Sequence, residues 1–176
     1  LLIENIDAYA AEVLKHEKLS VLIETDGTLV TKELAEKISE ISNDRVIWIV
    51  SVDAARPDMY SKIVRNGSFE KAVSSISVLE PLFPGNVFPQ FTRMNENEGE
   101  LEAFYRYWHD SNSPSKGKLI VQKYDDCCKS LPSRKPADLS PLERNVCWHL
   151  KRDMTVLSNG DVPLCRQFAF ASTIGN

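Results

Sequence analysis

The sequence predicts an α/β fold, a partial parallel (β/α) barrel fragment of about four strands with a small C-terminal β-hairpin extension. Three observations predict it. Short β-branched and aromatic runs alternate with helical apolar patterns through residues 1–128, which argues for parallel strands joined by crossover helices. The stretch from Arg45 to Val52 is a β-branched and aromatic run, unbroken from Val46 to Val50, as in a strand covered on both faces. Late in the chain, Asn159-Gly160 lies between two short apolar runs and suits a two-residue type I′ turn, in which both central residues need φ > 0.

The elements follow in order. Ile6, Tyr9, Ala10, Val13 and Leu14 recur at helical spacing, and Leu19 to Ile23 reads as a short strand that Thr25-Asp26-Gly27 ends. Thr31 is placed to N-cap a helix with Leu34, Ile38 and Ile41 on one face and Glu33 and Glu36 near its positive end. After the Arg45–Val52 strand, Pro57 opens a short helix and Ser68 caps a longer one that directs Phe69, Val73, Ile76 and Leu79 inward. Pro81 and Pro84 stop it. Val87 to Met94 is the third strand. Asn97 with Glu100 predicts a capping box before Leu101, Phe104, Tyr105 and Trp108, and Leu119 to Tyr124 is the fourth strand.

Composition bounds the function. With 43% hydrophobic and 26% charged residues in a chain of 176, this is an ordinary globular composition with room for one sizeable core and an appendage. No apolar run reaches the ~20 residues that span a bilayer, and the N-terminus lacks a secretory pattern, so a cytoplasmic, non-membrane protein is expected. The net charge is −4, with a mildly basic stretch after residue 128. Its lysines and arginines are scattered without interleaved aromatics, which argues against nucleic acid as a partner. The chain starts at Leu1 rather than Met and stops soon after its last cysteine, as expected of a piece of a longer protein.

All four cysteines, Cys127, Cys128, Cys147 and Cys165, fall in the last third. Without secretory signals such a cluster points to metal binding or reduced thiols, with a disulfide as the alternative. Residues 129–146, with Pro132, Pro136 and Pro141, read as a linker or strap. Cys147 and Cys165 flank the Asn-Gly turn, so a shared metal would reward a fold-back of the chain before it. A zinc site of Cys147, His149 and Cys165 is one form that metal site could take. His16 and His109 read as helix-surface residues, Trp48, Trp108 and Trp148 as packing, and Asp125-Asp126 as carboxylates that point apart into solvent.

The C-x12-G-x4-C spacing from Cys147 to Cys165 resembles the opening of the SPASM domain, the auxiliary iron-sulfur module of many radical S-adenosylmethionine (radical SAM) enzymes. Upstream, Ile23-Glu24-Thr25-Asp26-Gly27 resembles that superfamily's third strand, and Val50-Ser51-Val52-Asp53-Ala54 followed by Tyr60, Arg65 and Gly67-Ser68-Phe69-Glu70 its fourth-strand pattern. Asn97-x-x-Glu100-Leu101 resembles the start of the helix after the fifth. A narrower likeness is to the spiro-SPASM type. The resemblance implies a C-terminal radical SAM-like half over residues 1–128 and the beginning of a SPASM-like domain over 147–176. It further implies S-adenosylmethionine contacts at Ser51, Asp53 and Arg65, an auxiliary [4Fe-4S] cluster with Cys147 and Cys165 as ligands, and a peptide or protein substrate. No family position accounts for Cys127 or Cys128.

Departures from the pattern are plain. The C-x3-C-x2-C loop that holds the radical-generating cluster is absent from these 176 residues, as is the glycine-rich segment after the second strand. Ala54 stands where glycine is frequent and Asp26 where asparagine is usual. The chain by itself therefore cannot generate a radical by that mechanism. The alternatives are a degenerate, non-catalytic binding or scaffold domain and a structural zinc module.

Overall fold

The computed structural model describes residues 5–127, 131–134, 136, 149–168 and 173–175. The chain divides into two compact units, Leu1–Gln122 and Lys123–Asn176, each described by itself.

In the first unit, helix α1 (Ile6–Leu14) precedes strand β1 (Val21–Thr25), α2 (Lys32–Ser42) and β2 (Val46–Ser51). Helices α3 (Pro57–Ile63) and α4 (Phe69–Leu79) lead to β3 (Val87–Arg93). A 3-10 turn (Glu98–Glu100) and α5 (Leu101–His109) then lead to β4 (Ile120–Lys123). The strands form one parallel sheet in the order β1-β2-β3-β4. Sequential order means that each crossover adds its strand on the same side of the last, the arrangement of a wall of a β/α barrel.

The local signals account for most element ends. Thr31 accepts the Leu34 N–H at 3.2 Å and Ser68 accepts the Lys71 N–H at 3.3 Å, so both predicted N-caps form. Pro57 occupies the first turn of α3, where its missing N–H costs nothing. Asn43 (φ 44°) and Asp44 (φ 58°) end α2 in the left-handed region that asparagine and aspartate tolerate. The sequence marks Arg45 only as the start of a strand. Its guanidinium donates to the carbonyls of Leu14, His16 and Leu19 at 2.7–2.8 Å, and so ties the end of α1 and the turn after it to the start of β2.

One face of the sheet carries the core. Ile23, Val46, Trp48, Val50, Val87 and Phe91 pack there against Leu14 of α1, Ala35 and Ile38 of α2, Ile76 and Leu79 of α4, and Phe104 and Trp108 of α5. Phe91 and Phe104 meet with ring centroids 4.9 Å apart, and Trp48 and Phe83 at 5.6 Å. The other face holds the alternate residues Leu22, Glu24, Ile47, Ile49, Ser51, Phe88, Gln90 and Thr92. None of its apolar members belongs to the core cluster, and among the described residues the core helices all lie on the first face. The continuous run Val46–Val50 had implied cover on both faces. Instead burial alternates along β2, complete at Val46, Trp48 and Val50 and partial at Ile47 and Ile49.

In the second unit, α6 (His149–Arg152) is followed by the Asn-Gly turn, β5 (Val162–Pro163), a 3-10 turn (Arg166–Phe168) and β6 (Thr173–Gly175); β5 and β6 pair antiparallel. The turn differs from the expected type. The Gly160 N–H bonds to the Leu157 carbonyl at 3.0 Å and the Leu157 N–H to the Asp161 carbonyl at 2.8 Å, while only Gly160 (φ 91°) is left-handed. This is a three-residue loop with a glycine bulge. The Asn159 side-chain Oδ1 turns back to accept the Asp161 N–H at 3.1 Å, which favours this form over the type I′ turn. The turn leads into β5, and β5 pairs with β6 rather than with the residues before the turn. Asp125 is half-buried; it accepts from the Cys127 N–H at 2.9 Å and the Gln167 amide at 2.7 Å, rather than pointing into solvent.

Candidate ligand site at the carboxyl ends of the strands

Parallel sheets present their loops and ligands at the carboxyl ends of the strands. Here those ends carry a polar network on the face that the core helices leave uncovered. Ser51 and Gln90 are lateral partners in the β2-β3 register, one row above Glu24, Ile49 and Phe88. The Gln90 amide, 2% exposed, donates to Glu24 Oε1 at 2.9 Å and lies 3.4 Å from Ser51 Oγ. One buried amide thus ties three strands together at their carboxyl ends.

Asp53 follows β2 in a left-handed conformation (φ 54°) that lets its peptide N–H and that of Val52 both donate to the Gln90 carbonyl. Its carboxylate accepts the Thr92 N–H at 2.6 Å. Burial raises its pKa to about 6, the Thr92 N–H opposes that shift, and the charge of Glu24 adds to it.

This shift sets a pH dependence. The folded protein keeps the Asp53 proton up to about pH 6, whereas the unfolded chain releases it near 3.8, so between those values the folded state binds more protons and stability falls as pH rises. Asp53→Asn, which keeps an oxygen for the Thr92 N–H, is expected to flatten that slope. Because Asp53 retains some solvent contact, the gain at pH 7 is set at about 1–2 kcal/mol. Urea unfolding midpoints from pH 4 to 7 measure it, and a variant with the wild-type slope would remove Asp53 as the cause.

Asn97 and Glu100 brace this segment in a way the sequence did not suggest. They do not form a capping box. Asn97 is fully buried; its amide donates to the carbonyls of Asp53 (2.8 Å) and Thr92 (2.9 Å), and its oxygen accepts the Met94 N–H at 2.8 Å. Glu100 accepts the Ala55 N–H at 2.8 Å and Arg56 Nε at 2.7 Å. The two side chains clamp the loop after β2 to the end of β3.

The Arg65-x-Gly67-x-Phe69 pattern divides into separate roles. Gly67 lies against the Tyr60 ring, where a Cβ would stand 2.9 Å from the ring and 2.5 Å from Val64. Phe69 packs edge-on against the same ring at 5.8 Å. The pattern therefore has a packing role at Gly67 and Phe69. Arg65 is exposed and makes no hydrogen bond or ion pair among the described residues. Tyr60 is fully buried, and its hydroxyl has no hydrogen-bond partner among the described residues; burial and the charges of Asp26 and Asp53 push its pKa up to about 12. The Thr28 hydroxyl is likewise buried and unpartnered. The resemblance included Tyr60 in the fourth-strand pattern, whereas no residue-type pattern flagged Thr28, whose significance lies in the missing partner.

Ser51 and Asp53 are thus brought to one network, with Arg65 in the turn between α3 and α4. Of the predicted metal ligands, Cys165 is a half-buried free thiol and Cys147 lies outside the described residues, as do Cys128 and Trp148. His149 Nδ1 is engaged by Asp153, whose carboxyl is pulled down to about pH 2 by hydrogen bonds from Arg152 and His149. No group of three or more His, Cys, Asp or Glu side chains is gathered in metal-binding geometry among the described residues. A separate groove of about 480 Å³ runs between α5 and β4, lined by Arg93, Glu98, Leu101, Glu102, Tyr105 and Val121. No described helix is long and apolar enough to cross a membrane.

No family model matches the chain. The chain is similar to an "Uncharacterized protein" of Treponema pallidum (strain Nichols), 43% identical over 168 residues, which covers 89% of this chain and 46% of that protein; the chain spans about half the length of the curated relative it matches.

Proposed function

We propose that residues 1–128 are the C-terminal half of a radical SAM-type barrel, that 147–176 begin a SPASM-like domain, and that the longer protein acts on a polypeptide in the cytoplasm. The observation that carries this reading is the polar network of Glu24, Ser51, Asp53 and Gln90 at the carboxyl ends of sequentially ordered parallel strands. Such a network suits the hydroxyls and amino group of a nucleoside-bearing ligand. In this reading Ser51 and Asp53 contact S-adenosylmethionine, and exposed Arg65 receives its carboxylate through a bidentate pair. Cys147 and Cys165 supply two of the four thiolates that an auxiliary [4Fe-4S] cluster takes. Such clusters accompany peptide or protein modification in the superfamily.

A second reading, a non-catalytic scaffold of the same fold, is favoured by one specific observation. Asp53 and Ser51 already have internal partners in Thr92 and Gln90, so their positions are explained without a ligand.

Calorimetric titration of S-adenosylmethionine into the longer protein decides between them. The proposal expects binding that weakens at least tenfold in Arg65→Ala, the loss of a charge-assisted bidentate pair. Equal affinity in wild type and variant would remove Arg65 from the site, and no binding at all would favour the scaffold. After anaerobic purification, iron and sulfide should be retained and lost in Cys165→Ser; retained zinc without iron would assign a structural zinc module instead.

A further inference from the structure

Cys127 has no role in the auxiliary-cluster reading, yet the second unit brings its segment against that of Cys165. One carboxylate does this. Asp125 Oδ1 accepts the Cys127 N–H at 2.9 Å, while its Oδ2 accepts the Gln167 side-chain amide at 2.7 Å and lies 3.8 Å from the guanidinium of Arg166. Arg166 is the residue directly after Cys165. Residues 125–127 and 165–167 are therefore neighbours in space within the unit Lys123–Asn176, joined through the two oxygens of a single side chain. Both cysteines are free thiols, and both are half-buried.

Thiol chemistry narrows what such a pair does. A cysteine that only fills space behaves as a small apolar side chain and is usually fully buried, whereas one that meets a ligand keeps a side open. Cys127 and Cys165 are both of the second kind. The Asp125 bond also shapes the backbone at Cys127, an Asx turn that holds it at φ 48°, in the left-handed region that cysteine seldom takes. The side chain thus leaves the chain in a fixed direction, and that ordering precedes any ligand. Soft thiolates select iron-sulfur clusters and zinc over hard cations. In a cluster each thiolate binds a different iron, so the ligands need not converge on one point as they do around a single zinc ion. Thiols on two neighbouring segments suit the first arrangement.

We infer that Cys127 supplies a further thiolate to the metal centre that includes Cys165, with Asp125 as the residue that positions it. Each thiol gives its proton to solvent as it binds. The inference deepens the auxiliary-cluster proposal, in which Cys147 and Cys165 are two of the four thiolates, and it rests on that reading for the metal. Cys128, the next residue in the chain, is the internal control.

The test uses the longer protein, purified anaerobically and reconstituted with ferrous iron and sulfide. Alkylation by iodoacetamide is followed residue by residue by mass spectrometry. Cys127 is expected to react roughly tenfold more slowly with the metal centre loaded than after a chelator has stripped it, with Cys128 reacting alike in both states. This measurement reads the wild-type chain, so it does not depend on a variant that folds. Cys127→Ser is then expected to retain less iron and sulfide than wild type, as Cys165→Ser does, whereas Cys128→Ser matches wild type. Asp125→Ala keeps every sulfur and is expected to lower the iron retained, because it frees the Cys127 segment from that of Cys165. Equal alkylation of Cys127 in the loaded and stripped protein, or full iron and sulfide in Cys127→Ser, would overturn the inference and leave the cluster reading intact. Protection at Cys128 in place of Cys127, or a Cys127–Cys165 disulfide that survives reconstitution, would also overturn it. Zinc in place of iron, with Cys127 protected, would overturn the cluster and keep Cys127 as a ligand. A wild-type protein that holds neither metal would overturn both.

Discussion

Asn97→Ala is expected to destabilise the first unit by about 3–5 kcal/mol, more than any single surface change in the chain. The side chain is fully buried and makes three hydrogen bonds, to the Met94 N–H and to the carbonyls of Asp53 and Thr92. Truncation leaves one donor and two acceptors without partners, and each buried orphan costs about 1–3 kcal/mol. Urea unfolding followed by tryptophan fluorescence measures the loss, since Trp48 and Trp108 lie in the core. Asn97→Asp separates donors from acceptor. It keeps an oxygen for the Met94 N–H but sets a carboxylate against two carbonyls, so it should be at least as damaging as Ala at pH 7. A loss below 1 kcal/mol in both variants would show that the loop after β2 holds its place without this brace, with Glu100 on Ala55 and Arg56 sufficient.

Gly27→Ala is expected to cost about 2–4 kcal/mol for two separable reasons. Gly27 has φ 77°, where an L side chain adds about 1–2 kcal/mol of strain. A Cβ there would also lie 2.4 Å from Ser75 Oγ and 3.1 Å from both Ala72 Cα and Val50 Cγ1, so the loop after β1 would have to move off α4. Ser75→Ala in the same chain removes the nearest clash. The double variant should recover part of the loss and retain the backbone term, a coupling that a double-mutant cycle reads directly. A loss under 1 kcal/mol for Gly27→Ala alone would mean that the loop shifts freely. The carboxylate of Asp26 would then be less firmly placed than the close packing of Gly27 implies.

Asn97 also shows where reading the chain stops. Its spacing to Glu100 matched a capping box, yet both side chains are drawn to groups more than 40 residues away, the backbone at Asp53 and Ala55 and the guanidinium of Arg56. A local motif competes with every buried donor and acceptor that the fold brings near, and satisfying those orphan groups outweighs one exposed cap. The Asn-Gly turn erred for a smaller reason. The dipeptide permits two left-handed residues, but its own Asx bond to Asp161 favours the bulged form with one. Arg45 was unreadable because its partners are carbonyls, which no residue type announces.

Much else was legible. The four parallel strands, the helices between them, the caps at Thr31 and Ser68, and the core placement of Trp48 and Trp108 are properties of periodicity, propensity and side-chain hydroxyls within a few residues of one another. Those interactions are local, and the sequence alone determined them. The tertiary structure decided which face of the sheet the core helices cover, and hence that Leu22, Ile47, Ile49 and Phe88 flank a row with Glu24 in it. It also decided that Gln90, unremarkable in the sequence, joins Glu24 to Ser51. The physical reason is that strand alternation divides residues between two faces without saying which face is covered, and polar side chains become a site only when the register sets them side by side.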